Sequence, residues 1–402
     1  MIDRSPRPGG PWAGTLVAGL FLLLLTACGK PPEAPPMALE PVAFTALAGW
    51  ADDRQDQALS SFLRSCAPLA RRDPEAPFHK AEPAAGRNAD WQALCRQAAA
   101  TPVEPAAARA FFETGFQPYR VLGDGESEGL FTGYFEPLLH GAARPNGTAS
   151  IPLRAAPGDI VTVDLGQFAD DLDGRKVRGR VTGDRLEPYP SRGEIERGAL
   201  DGRGLELLWV DDPIEKFFLQ IQGSGLVELD DGRTLRVGYA DQNGRAYRAI
   251  GRDLIELGEL TKEEVSLQTI EAWLRAHPDR AREIMDRNAS YVFFRVLGEA
   301  GALEGPEGAQ GVPLQAERSL AVDRSFIPLG APLWLETEAP FPDGERPFRR
   351  LVVAQDTGGA IKGAVRGDVF WGAGDLAAFV AGHMKSRGSY YLLLPRTARP
   401  VS

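Results

Sequence analysis

Histidine and cysteine are scarce: the 402 residues hold four His and three Cys. His79, His140, His277 and His383 are scattered, with no HExxH or comparable spacing. Protein metal sites need clustered imidazole, thiolate or carboxylate ligands, so none is expected, and no cofactor is implied. No Lys/Arg cluster occurs, and the net charge is -10 with pI ≈ 5.2. Binding a phosphate backbone takes a basic face, which argues against nucleic acid as a partner. The expected substrate is neutral or mixed in charge. What is present is ordinary globular material, 43% hydrophobic and 25% charged, in a chain too long for one compact core. Forty-five Gly and 32 Pro point to many turns and a β-rich protein.

The one long apolar run, Trp12 to Ala27, follows Arg4 and Arg7. It is shorter than the ~20 residues of a spanning helix and reads as a signal peptide over residues 1–27. It ends Leu25-Thr26-Ala27-Cys28-Gly29, which resembles a bacterial lipobox. The resemblance implies cleavage before Cys28 and lipidation of that residue. Gly29, rather than Asp, implies the outer membrane, with the chain facing the periplasm. Lys30 to Pro41 is Pro-rich and reads as a tether, within an expected linker over 28–44. Cys66 and Cys95 fall on apolar helical faces. Two buried thiols are one reading, but the export signal favours a disulfide.

Helical stripes appear at Leu59, Phe62, Leu63 and Cys66, at Trp91, Leu94, Cys95 and Ala98, and over Ala106 to Glu113. From Tyr119 onward the texture becomes short apolar runs split by Gly, Pro and Asp. Strands are expected over Leu130–Glu136, Ile151–Leu153, Ile160–Leu165, Leu205–Val210 and Phe217–Ile221. A hairpin is expected around Asp230-Asp231-Gly232. Thr261-Lys-Glu-Glu264 reads as a capping box before the stripe Leu267, Ile270, Trp273 and Leu274, and a second helix starts at Pro278. Strands then return over Ser319–Val322, Pro332–Leu335, Leu351–Ala354 and Tyr390–Leu394.

The stretch richest in chemistry is Val352 to Trp371. It places Asp356 at a Gly-rich turn and Asp368 before an aromatic pair, with Lys362 and Arg366 between them. Two carboxylates on one loop system make a candidate acid/base site, although Asp in such loops also caps turns. Thr132-Gly-Tyr134-Phe-Glu136-Pro offers aromatic faces and a carboxylate for a sugar. Gln222 and Ser224, in Gln220-Ile-Gln-Gly-Ser-Gly225, offer hydrogen bonds to hydroxyls or amides if the run is a strand. Asp323 reads as a turn or ion-pair residue.

Asp323, Asp356 in DTGGAIKG and Asp368 in RGDVFWG resemble the three-aspartate domain. With TGYFEP, QIQGSG, GYADQNGRAYRAIG and NASYVFF, the chain resembles the membrane-bound lytic murein transglycosylase A family. The resemblance implies a mainly β fold with N-terminal and interposed helices. A double-psi β-barrel catalytic domain (45–137 and 293–402) carries an inserted smaller β-barrel (138–292), and the substrate groove lies at their junction. The partner implied is the glycan strand of peptidoglycan, with the membrane reached through the N-terminal lipid. The implied enzyme is a lyase with Asp368 as its acid, Asp356 in support, and Tyr134, Glu136, Gln222 and Ser224 lining the groove.

A hydrolase needs two working carboxylates. A lytic transglycosylase can use one, because the muramoyl C6 hydroxyl replaces water. Two alternatives stay open. One is an aspartic protease read from Asp356-Thr357-Gly358, which lacks a second such triplet and has Gln355 where an apolar residue is usual. The other is a non-catalytic wall-binding barrel.

Overall fold

The computed structural model describes residues 37–299 and 305–398. The expected leader, the lipobox Cys28 and the tether up to residue 36 lie outside the described residues. Met37–Pro41, expected to be tether, is strand β1, paired antiparallel with β2 (Phe116–Gly123). Its Pro41 stands at the strand's end on a sheet edge, where a missing N–H is tolerated, and Met37 and Leu39 pack on the core.

Helices α1 (Gln55–Leu69), α2 (Asn88–Ala100) and α3 (Pro105–Gly115) separate these two strands. Their expected stripes are the buried faces: Leu59, Phe62, Trp91 and Ala98 are fully buried. Phe78 stacks on Trp91 with ring centroids 4.0 Å apart. Cys66 of α1 and Cys95 of α2 are joined by a disulfide, Cα–Cα 5.5 Å.

After β3 (Gly129–Glu136) the chain enters a long insertion. It contains β4 (Leu138–Ala142), β5 (Ile151–Arg154), β6 (Val161–Asp164), β7 (Lys176–Thr182), β8 (Arg185–Pro188) and a single turn α4 (Arg192–Glu194). β9 (Glu206–Val210), α5 (Pro213–Gln222), β10 (Ser224–Leu229) and β11 (Thr234–Gln242) follow. The insertion ends with α6 (Ile250–Glu256), α7 (Leu267–Ala276), α8 (Pro278–Asp286) and β12 (Val292–Glu299). Six of its strands form one sheet in the order β12-β11-β10-β4-β9-β5. An Ala155–Phe294 bridge joins the two ends of that sheet. β12 pairs with β11, so this sheet runs on to Glu299, past the expected boundary at 292. β6, β7 and β8 make a separate meander.

The remaining strands are β13 (Ser319–Val322), β14 (Pro332–Phe341), β15 (Gly344–Asp356), β16 (Arg366–Ala373) and β17 (Lys385–Pro395), with α9 (Asp375–His383) before the last. Pairing runs β17-β14-β15-β13-β16-β3, and β3 pairs back onto β17, which closes a six-stranded barrel. Leu320, Leu333, Leu335, Leu351, Val353, Val369 and Leu392 are fully buried in its core. The mainly β class, with helices and a second barrel-like sheet inserted into the first, is the architecture the sequence led us to expect.

Two local expectations are corrected. Phe217–Ile221 is not a strand but part of α5. Asp212 caps that helix by accepting from the Ile214 and Glu215 N–H groups, Pro213 takes the first position, and left-handed Gly223 ends it. Ile214, Phe217, Phe218 and Ile221 recur at helical spacing and pack as one cluster. The Thr261–Glu264 box closes a turn, Thr261 Oγ1 donating to Glu264 at 2.8 Å. The helix behind it starts only at Leu267, capped by Ser266.

Candidate active site

β13 lies between β15, parallel to it, and β16, antiparallel. Ala321 is the Cα partner of Asp356 on one side and of Asp368 on the other. Thr132 of β3 is in turn the partner of Asp368. One row across the barrel therefore reads Asp356, Ala321, Asp368, Thr132. At ~4.8 Å per strand the two aspartate backbones stand about 10 Å apart, with only the small Ala321 between them.

The two carboxylates differ in what they hold. Asp356 Oδ1 accepts from the N–H of Ala309 at 2.8 Å and of Thr357 at 2.9 Å. Its Oδ2 accepts from the Tyr134 hydroxyl at 2.8 Å. Both oxygens are thus engaged. Asp368 Oδ1 accepts from Thr132 Oγ1 at 2.7 Å. Among the described residues no protein group donates to its Oδ2. Thr132 is oriented by Arg366, which donates to the same hydroxyl oxygen at 2.7 Å and also to the Leu130 carbonyl at 3.2 Å.

Burial raises the Asp368 carboxyl to about 6, against the pull of Arg366 and the Thr132 hydrogen bond and with some help from the Asp356 charge. Burial also raises Asp356, opposed by the donors from Ala309, Tyr134 and Thr357. Tyr134 is held well above its ordinary range by burial and by Asp356. Burial lowers the Arg366 pKa, and the Asp368 charge partly restores it.

Tyr134 is buried, its ring 5.2 Å from that of Phe370. It serves Asp356 rather than standing as an open sugar platform. The glycine before it is needed sterically: a Cβ at Gly133 would lie 2.7 Å from Trp371 Cδ1. Glu136 is 2% exposed and engaged with Arg236 of β11 at 2.9 and 3.2 Å. That ion pair ties β3 to the inserted sheet, so this expected groove residue is a buried structural carboxylate. Gln222 ends α5 and accepts from the Phe135 N–H at 3.1 Å. Ser224 opens β10 and is buried. Neither lies on an open strand face.

Asp323 is a clamp. It accepts from the Ser325 N–H and hydroxyl, and from the Gly363 N–H at 2.9 Å. Burial works against its charge, but these donors and nearby Lys362 outweigh it and hold the carboxyl low. Gly363 takes φ +112, a conformation closed to most side chains, which lets its N–H reach back to Asp323. Lys362 itself is exposed.

Tyr247, between β11 and α6, went unweighed in the sequence beyond its place in the GYADQNGRAYRAIG run. Burial raises its hydroxyl most, Arg192 opposes this, and the Asp368 charge adds to it. A cavity of about 900 Å³ lies elsewhere, between α5, α7 and α8. On its wall Lys216 pairs with Glu196 and Arg275 with Asp212. No cluster suited to a metal occurs among the described residues.

The chain matches the MltA specific insert domain over residues 130–295 and the 3D domain over residues 318–394. It is 34% identical over 279 residues to membrane-bound lytic murein transglycosylase A of Vibrio cholerae, covering 68% of this chain and 67% of that one. The crystal structure of a membrane-bound lytic murein transglycosylase from Agrobacterium tumefaciens matches with TM-score 0.78 at 34% identity, over 90% of this chain and 98% of the other. That of E. coli MltA with bound chitohexaose matches with TM-score 0.61 at 27% identity, over 91% and 96%. Sequence, insert and barrel agree: the chain belongs to the membrane-bound lytic murein transglycosylase A family.

Proposed function

We propose that the chain cleaves the β-1,4 bond between N-acetylmuramic acid and N-acetylglucosamine in peptidoglycan and leaves a 1,6-anhydro-N-acetylmuramic acid end. Asp368 is the working acid. Protonated at the start, it gives its proton to the glycosidic oxygen as the bond to the muramoyl C1 breaks. The muramoyl C6 hydroxyl then bonds to C1, and its proton returns to the Asp368 carboxylate. No water is consumed and the enzyme ends as it began. Asp356 supports this by position and charge.

The observation that carries the assignment is the contrast in hydrogen bonding. Asp356 has both oxygens engaged, whereas Asp368 keeps Oδ2 without a donor among the described residues and is raised to about 6. An acid with a pKa near the working pH and one unencumbered oxygen suits proton transfer in both directions. A relative, E. coli MltA, holds chitohexaose, which supports a glycan strand as the ligand here. The lipobox-like Leu25–Gly29 and the relatives' description as membrane-bound support anchoring through a lipid on Cys28, at the outer membrane facing the periplasm.

The test is chemical. Purified peptidoglycan is digested and the muropeptides are weighed and treated with borohydride. Products one water lighter than muramidase products, and resistant to reduction, are expected. Reducing ends instead, or full activity in Asp368→Asn, would overturn the proposal.

A further inference from the structure

Behind the site, on the buried side of β15, stands Gln355. The register of β13 against β15 runs Leu320 with Ala354 and then Ala321 with Asp356, so Gln355 is the extra residue of a bulge. Bulges beside active sites re-aim the next side chain. Here that side chain is Asp356. Gln355 is fully buried, as are Ser61 and Ser65 of α1 and Ser319 of β13.

The Gln355 amide is fully used. Its Oε1 accepts from Ser61 Oγ at 2.9 Å and Ser319 Oγ at 2.5 Å. Its Nε2 donates to the Ser61 carbonyl at 2.8 Å and to Ser65 Oγ at 2.9 Å. Ser65 Oγ passes the chain on to Gln310 Oε1 at 2.8 Å, and the Gln310 N–H returns to the Gln355 carbonyl at 3.0 Å. Gln310 is thus gripped at side chain and backbone, within a turn closed by the Gly311 N–H to Gly308. The residue before it, Ala309, gives its N–H to Asp356 Oδ1. A methionine would fill the same space without four polar partners. A buried amide satisfied at every site instead specifies one arrangement of the parts it joins.

The geometry points to Gln355 as a positioning residue for the reaction: it fixes the 308–311 turn so that the Ala309 N–H stays on Asp356, and so holds Asp356 in register with Asp368. This rests on the reading that Asp368 carries the proton and Asp356 supports it.

The test uses Gln355→Met and Ser65→Ala in the full chain, with anhydro-muropeptide release measured across pH 4–8. Gln355→Met is expected to lower kcat by about tenfold with KM within about twofold. Its alkaline limb should move to lower pH, because an Asp356 that has lost a donor neutralises more readily and pushes less on Asp368. Ser65→Ala should do the same more weakly, and the double variant should fall short of the product of the two effects. A folded Gln355→Met with the original rate and pH profile overturns the proposal, as does full additivity. If Gln355→Met fails to fold, Ser65→Ala decides, an unmoved pH profile sinking the idea. Asp368→Asn with full activity removes the underlying reading. An inactive Asp368→Asn beside an unaltered Gln355→Met removes only this inference.

Discussion

Thr132 donates to Asp368 at 2.7 Å through the same hydroxyl that accepts from Arg366 at 2.7 Å. Arg366 thereby fixes the direction of the threonine proton, and the threonine fixes the rotation of the carboxylate. Because this bond favours the ionised form, it lowers the Asp368 pKa against burial. Thr132→Val keeps the shape and removes the bond. The alkaline limb of kcat/KM, expected near 6, should then rise by about 0.5–1 pH unit, while kcat falls about tenfold through lost orientation. Thr132→Ser should restore both. An unchanged profile in Thr132→Val counts against the relay.

Tyr134 tests the other carboxylate. Its ring packs on Phe370 and its hydroxyl reaches Asp356. Tyr134→Phe keeps the packing and removes a bond that lowers the Asp356 pKa. We expect about a tenfold loss in kcat, KM nearly unchanged and thermal stability within a few degrees. A large KM effect with normal kcat would mean that the ring binds sugar rather than serving Asp356.

Asp368 should also cost the fold stability at neutral pH. Its folded pKa, about 6, lies above the ordinary 3.8. The native state therefore binds the proton more tightly than the unfolded chain. The stability this confers is complete below about pH 4 and is lost as pH rises through about 6. At pH 7, Asp368→Asn should stabilise the protein by up to about 3 kcal/mol, that is (6 − 3.8) × 1.36, and by much less at pH 4. Urea denaturation at the two pH values reads this out; equal gains at both would contradict the raised pKa.

The legible parts of this protein were those written in local pattern. β3, β13 and β15 announce themselves as apolar runs bounded by turn residues, and the stripes of α1 and α2 recur at helical spacing. Asp356 and Asp368 stood out because both lie near glycines within one stretch. What stayed hidden was non-local. No sequence pattern shows that Ala321 is level with both aspartates, since three strands must first pair. The Ala309 donor to Asp356 is a backbone group and leaves no side-chain trace. α5 was misread because Gln220-Ile221-Gln222 alternates over three residues, while its true signals, Asp212-Pro213 and Gly223, lay at the two ends. Glu136 looked free for a ligand because Arg236, its partner, is a hundred residues away.

That last pair carries its own prediction. Glu136 is 2% exposed, and the Arg236 side chain 11%. Burial raises the Glu136 pKa, and the two hydrogen bonds and charge of Arg236 only partly oppose it. Removing Arg236 leaves a carboxylate in a site that cannot solvate it, so Arg236→Met should cost about 3–5 kcal/mol at pH 8. With its partner gone, Glu136 escapes the penalty by taking up a proton, its folded pKa rising further above the ordinary 4.5. Such a group stabilises fully only below its unfolded pKa and loses that contribution as pH rises through the folded one. The variant's deficit should therefore shrink when unfolding is repeated near pH 5. Adding Glu136→Gln to Arg236→Met should recover much of the loss at pH 8, because the buried charge is gone. A deficit that is equal at both pH values, and not relieved by the second change, would mean that Arg236 stabilises through its packing against β3 rather than through the ion pair.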